Sequence, residues 1–332
     1  MGRLQRARVV VLGLLGATAL LATTLVSAQP RDLTEPAAAR VAASSPPRVS
    51  IDLPYVADND PAHRLDLFVP GGYKTPRPLV VFIHGGSWSH GSKSVIVGGS
   101  GQRTEAFRDL LLQAGYAVAS VEYRFSQVAR FPAQLHDVKA GVRFLRAHAD
   151  RFNLDPTRFA VAGESAGGHL ADLVGFTGPL RSAHLEGDLG ETGVSSAVSA
   201  VVSYYGVSDL SRVVPDRLAA RCPRGEDGAS SPEGRVIGGD PESPHMRRVV
   251  RRANPVSYVG VTSPPTLLLH GSRDCLVPPR QSTRLLAMLR GFGIRSEYIV
   301  LDAPHGGPAF HTTPRVTAQV LAFLDENLAV ER

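Results

Sequence analysis

The chain has 332 residues, of which 43% are hydrophobic and 20% charged, with a formal net charge of +6. That composition fits one large α/β domain with insertions or two smaller domains, and excludes collagen-like and wholly disordered chains. The charge excess is too small to argue for a nucleic-acid partner, and it falls to +3 when residues 1–28 are set aside.

Residues 1–28 stand apart. Arg3, Arg6 and Arg8 precede an apolar run from Val9 to Val26, and Val26-Ser27-Ala28 is a small-residue cleavage pattern. This is the layout of a secretory signal peptide, and it predicts a secreted protein. The alternative is a retained membrane anchor over residues 9–26, since the run is long for a signal core. With the segment removed, no stable membrane association is expected. Residues 29–48, rich in Ala, Pro and Ser, read as a flexible leader, and residues 49–332 as the folded domain.

Val49 to Val56 and His63 to Val69 alternate as two antiparallel strands joined by Asp58-Asn59-Asp60-Pro61. Pro78 to Ile83 is a continuous apolar run, as in a strand buried on both faces, and it runs into His84-Gly85-Gly86-Ser87-Trp88. Thr104 to Ala114 fits an amphipathic helix and Ala117 to Glu122 the next buried strand. Leu135, Val138, Val142 and Leu145 place a helix over residues 132–148, and Asn153-Leu154-Asp155-Pro156 reads as a turn.

Phe159 to Ala162 is then a short strand, Gly163-Glu164-Ser165-Ala166-Gly167 a sharp turn, and the run after Ala166 a helix. A Gly-x-Ser-x-Gly pattern alone is weak in a chain with 33 glycines. Between a strand and a helix it is the turn that lifts a serine above a sheet edge, which makes Ser165 a candidate nucleophile; the alternative is a helix N-cap.

Ala200 to Tyr205 is a further strand. Residues 208–253, with many Pro, Gly and charged residues, break the rhythm and read as an inserted cap or a long surface excursion. Within them Arg247-Arg248 and Arg251-Arg252 read as a solvated helix face. Pro265 to His270, a helix over Gln281 to Leu289, a strand over Glu297 to Leu301 and a closing helix over Pro314 to Asn327 restore the α/β order. No repeat, phosphate loop or dinucleotide fingerprint is present, so no cofactor is expected: Gly98-Gly99 and Gly238-Gly239 lack the strand-before, helix-after context. No His pair has metal-ligand spacing on a helix.

In a mostly parallel, doubly wound sheet, strand ends converge on one edge. Ser165, Asp274 after the 265–270 strand, His305 after the 297–301 strand and the Gly85-Gly86 turn would meet there. Ser165 is then the nucleophile, His305 its base and Asp274 the acid that orients the base. The backbone N–H groups of Gly85, Gly86 and Ala166 are the candidate oxyanion donors. His311 is the rival base and Asp302 the rival acid. His84 and His270 read as structural, Glu164 as a buried support for the turn, and Trp88 equally as a pocket wall or as core. Two cysteines in an exported chain, Cys222 and Cys275, are expected to be bonded; two buried thiols are the alternative.

With HGGSW (84–88), FPAQLHDVKAGVRFLR (131–146), GESAGGHLA (163–171), HGSRDCLVP (270–278) and HGG (305–307), the chain resembles secreted carboxylesterases of the α/β-hydrolase superfamily, in the hormone-sensitive-lipase-like and feruloyl-esterase-like branch. The resemblance runs from about residue 50 to the C-terminus and departs at Ser87, where many relatives carry a third glycine. It implies the α/β-hydrolase fold with an inserted cap-like segment, the order Ser165, Asp274, His305, and Gly85, Gly86 and Ala166 as oxyanion donors.

The function expected is a serine carboxylic-ester hydrolase for short-chain acyl esters, small-molecule or polysaccharide-linked, working through an acyl-enzyme. Substrate choice is expected to lie in residues 208–253. The alternatives are a prolyl-oligopeptidase-like peptidase, whose usual propeller domain has no room here, and a hydrolase-fold protein that only binds.

Overall fold

The computed structural model describes residues 45–98 and 104–328. The signal-peptide and anchor expectations, and the leader up to residue 44, lie outside the described residues. Eight strands are described: β1 (Arg48–Pro54), β2 (Arg64–Val69), β3 (Arg77–Ile83), β4 (Ala117–Val121), β5 (Leu154–Glu164), β6 (Ala200–Tyr204), β7 (Thr266–Gly271) and β8 (Ser296–Leu301). They form one sheet in the order β1-β2-β4-β3-β5-β6-β7-β8. The β1–β2 and β2–β4 pairings are antiparallel and all others parallel.

The uninterrupted apolar strands are explained by burial on both faces. Along β3, Val80 and Phe82 join a core with the helices Thr104–Gln113 and Pro314–Leu328. Leu79, Val81 and Ile83, pointing the other way, pack with the helices Ala133–Ala147 and Ala166–Thr177. Helix Arg280–Gly291 covers that second face further along, through Leu285 and Leu289 against Leu268. This is the doubly wound arrangement predicted, with every expected strand and long helix present. β5 begins earlier than expected, because Leu154 already pairs with Arg77 while the turn is made by Asn153 at φ 57°. Among the described residues no helix is long and apolar enough to cross a membrane.

The parallel register decides where the strands discharge. Ile83 lies opposite Gly163, Glu164 opposite Tyr204, Tyr204 opposite Leu269, and Gly271 opposite Leu301. The chain therefore leaves β3, β5, β7 and β8 along one edge.

Residues 208–253 hold no strand, and short helices cover Val213–Ala219, Pro232–Ile237 and Arg247–Ala253. Val213, Val236, Ile237, Val250 and Ala253 are buried in the core shared with the helices Ala133–Ala147 and Ala166–Thr177. Asp216 accepts from Arg284, and Cys222 is joined to Cys275 in a disulfide. The segment is a packed excursion stapled to the domain. Arg247, Arg248 and Arg251 are exposed, as a solvated helix face requires.

Candidate active site

Ser165 sits between β5 and the helix Ala166–Thr177 with φ 54° and ψ −116°, a conformation a side-chain-bearing residue holds only under constraint. Its N–H donates to the Tyr204 carbonyl at 2.9 Å. The flanking glycines are sterically required. A Cβ on Gly163 would meet the Gly167 carbonyl oxygen at 2.3 Å, and one on Gly167 would meet the Ile83 oxygen at 2.1 Å.

His305 and Asp274 reach this serine across the edge. His305 Nε2 lies 2.9 Å from Ser165 Oγ, and His305 Nδ1 lies 2.6 Å from Asp274 Oδ2. A carboxylate only accepts, so Nδ1 carries the proton and Nε2 is left to accept from the serine hydroxyl. The Asp274 side chain is fully buried, and its Oδ1 accepts from the N–H groups of Leu276 and Val277, each at 2.9 Å. Burial pushes the Asp274 carboxyl up, but hydrogen bonds from His270 and His305 outweigh it and hold the pKa at about 2. Tyr205 stands with its ring centroid 4.7 Å from that of His305, in an edge-on contact.

The loop after β3 comes up against the serine. A Cβ on Gly85 would lie 3.4 Å from Ser165 Cβ, so this backbone abuts the serine turn. Gly86 takes φ 110°, where a Cβ would strike the His90 carbonyl oxygen at 1.9 Å. Its own carbonyl is occupied by the N–H groups of Ser89 and His90. Ser87 follows at φ 53° without being glycine. Ser165, Gly85, Gly86, His90, Leu276 and His305 line a cleft of about 390 Å³.

His84 holds this loop, as its structural reading expected; its partner Glu122 was missed. His84 Nε2 lies 2.6 Å from Glu122 Oε1 and its Nδ1 2.7 Å from the Gly85 carbonyl, while Glu122 Oε2 accepts from the Lys93 N–H. Burial would raise the Glu122 pKa, yet the His84 bond turns the shift downward and the carboxylate stays charged. Its one sequence signal is an acid closing an otherwise apolar strand.

The rivals lie elsewhere. His311 Nε2 bonds Glu164 Oε1 at 2.5 Å and is buried. Burial acts to raise the Glu164 pKa, but the His311 and Tyr205 hydrogen bonds and the nearby His305 lower it, as suits a charged support. Asp302 is exposed and pairs with Arg273 Nε at 2.7 Å. His270 bonds Ser282 Oγ and the Val277 carbonyl, each at 2.7 Å, and also approaches Asp274. Trp88 is core: its Nε1 donates to His169 Nδ1 at 3.1 Å, and it lines no part of the cleft.

Residues 208–253, expected to shape the site, contribute no lining residue to this cleft, because their apolar side chains are spent on the helical core beside it. Their influence is indirect: Arg217 donates twice to the Leu276 carbonyl, at 2.9 and 2.6 Å, and the disulfide grips Cys275 beside Asp274. Among the described residues no cluster of His, Cys, Asp and Glu is fit to hold a metal.

The BD-FAE family model matches residues 65–289. Esterase LipC of Mycobacterium tuberculosis is 34% identical over 255 residues, covering 76% of this chain and 58% of its own length. The probable carboxylic ester hydrolase LipM of the same organism is 29% identical over 213 residues, 64% of this chain and 45% of LipM. The chain thus spans about half the length of these curated relatives. A solved truncated form of a carbohydrate esterase from gut microbiota superposes with a TM-score of 0.73 at 29% identity, covering 85% of this chain and 97% of that one.

Proposed function

The chain belongs to the BD-FAE family, with the α/β-hydrolase fold, and from that premise we propose that it is a serine carboxylic-ester hydrolase of short-chain acyl esters. The observation that carries the reading is the unbroken hydrogen-bonded series from Ser165 Oγ through His305 to Asp274 at the sheet edge.

Ser165 Oγ attacks the ester carbonyl carbon as His305 Nε2 takes the hydroxyl proton, and Asp274 holds the Nδ1 proton in place. The carbonyl oxygen becomes an oxyanion, received by the N–H groups of Gly85, Gly86 and Ala166. Collapse breaks the bond to the alcohol oxygen, which leaves with the proton from His305. Water then attacks the acyl-Ser165, gives a proton to His305, and Ser165 departs as the hydroxyl when His305 returns it. The cleft of about 390 Å³, walled by Val95, Tyr205 and Leu276, supports a short acyl group. The similarity to a carbohydrate esterase supports a sugar-linked alcohol.

Turnover of p-nitrophenyl acetate by the native chain, reduced by about 10⁴–10⁶-fold in Ser165→Ala, is the expected result. Equal turnover in both refutes the mechanism. The arginines of residues 1–8 and the apolar run behind them support export with cleavage after Ala28. N-terminal sequencing of exported material should begin at Gln29; an N-terminus retaining Val9 to Val26 would favour the anchor.

A further inference from the structure

A second hollow, of about 330 Å³, opens between the loop after β4 and the helix Pro232–Ile237. Ser126, Gln127, Arg130, Gly234, Arg235 and Gly238 line it, and no carboxylate does. Arg130 is exposed, and its guanidinium makes no hydrogen bond or ion pair among the described residues. Its side chain lies across Gly238, where a Cβ would meet Arg130 Cδ at 2.6 Å; Gly238, at φ 81°, leaves the room. Arg235, the second cation, is held by Glu226 at 3.2 Å and by the Ser230 carbonyl. Ser126 adds a buried hydroxyl with no partner. One unpaired guanidinium and a second held at the rim by Glu226, around an open hollow, are the cationic donors an oxyanion requires.

The hollow is coupled to the cleft by a single turn. The Ser126 N–H donates to the Trp88 carbonyl at 2.7 Å, and the Gln127 side-chain amide to the Ser89 carbonyl at 2.9 Å. Ser89 and His90 in turn donate to Gly86, which lines the cleft with His90. The 86–90 turn is therefore bonded to the walls of both hollows.

We propose that this hollow is a subsite for an anionic group, a carboxylate or a phosphate, on the sugar alcohol of the ester substrate. The proposal rests on the ester-hydrolase reading for its substrate and on Arg130 and Arg235 for its site. It gives residues 208–253 a part in substrate choice from outside the cleft, through Gly234, Arg235 and Gly238.

Calorimetric titration of the full chain with methyl glucuronoside, glucose 6-phosphate and methyl glucoside tests it. One anionic sugar should bind at least about tenfold tighter than the neutral one, as a charge-assisted hydrogen bond warrants, and more weakly as salt rises. A uronoside preference identifies an acidic sugar and a phosphate preference a phosphorylated one; both support the subsite. Arg130→Gln should erase the preference and Arg235→Gln reduce it, each with a thermal midpoint within about 2 °C of the native chain, as surface changes allow. Equal binding of all three sugars, or anion binding untouched by both substitutions, overturns the proposal. No turnover is measured, so failure to hydrolyse p-nitrophenyl acetate would sink the esterase reading alone.

Discussion

Acidification should unfasten the loop after β3 through one buried ring. His169, in the helix that follows Ser165, is fully buried; its Nδ1 accepts from Trp88 Nε1 at 3.1 Å and its Nε2 donates to the Ala253 carbonyl at 2.8 Å. The Trp88 bond requires the neutral ring, because protonating Nδ1 would set two donors against each other, whereas the bond from Nε2 survives protonation. Burial lowers the His169 pKa to about 4, against a weaker upward pull from the Ala253 bond.

The folded value lies below the unfolded value of about 6.5, so between these limits the unfolded chain binds more protons. The contribution is complete above about pH 6.5 and is lost as pH falls towards about 4. At about 1.4 kcal/mol per pH unit the loss is about 3 kcal/mol, a large share of ordinary domain stability.

Urea unfolding of the native chain and of His169→Gln at about pH 7, 5.5 and 4.5 measures it. The difference is needed because His63 acts oppositely: burial lowers its pKa, but Asp137 and Asp58 raise it above the ordinary value, so its contribution is present at low pH and lost as pH rises. The variant should be less stable near neutrality by about 1–3 kcal/mol for its impaired hydrogen bonds, and the gap should close as pH falls. Two curves that fall in parallel would refute the reasoning.

Reducing the Cys222–Cys275 bond, which spans 53 residues, should cost up to about 4 kcal/mol of stability by the loop-entropy relation. It should also lower kcat several-fold, since Cys275 adjoins Asp274; an unchanged thermal midpoint and rate in dithiothreitol would contradict this. Asp274→Asn should lower ester turnover by about 10⁴-fold by releasing the His305 tautomer. A folded pKa of about 2 means that the Asp274 carboxylate stabilises above about pH 3.9 and that this is lost as pH falls through about 2. The variant should therefore be less stable near neutrality and approach the native chain in strong acid, as acid titrations of unfolding would record.

Much of this arrangement was legible in the chain because it is local. Runs such as residues 78–83 and 267–269 are apolar throughout since both faces of their strands are covered, and a glycine, serine and glycine between a strand and a helix specify a turn. The meeting of Ser165 with Asp274 and His305 followed from a topological rule: parallel neighbours discharge at one edge. What residues 208–253 do was not legible. Their short helices lack a long amphipathic period, and whether such a segment covers a cleft or packs beside it depends on which apolar side chains find partners in the core.

The positioning partners were hidden for a related reason. Glu122 and His84 are 38 residues apart, His311 and Glu164 are 147 apart, and Arg217 bonds a carbonyl 59 residues on. No spacing rule links such pairs; each is selected by desolvation, which makes a buried polar group find whatever partner the packed chain brings near. The amino-acid sequence by itself determined the sheet, the serine turn and the candidate nucleophile, base and acid, because local periodicity and the handed α/β connection impose them. The tertiary structure alone decided which partners hold each structural histidine, where the walls of the cleft come from, and that two arginines share a second hollow, because those outcomes depend on which distant groups burial leaves side by side.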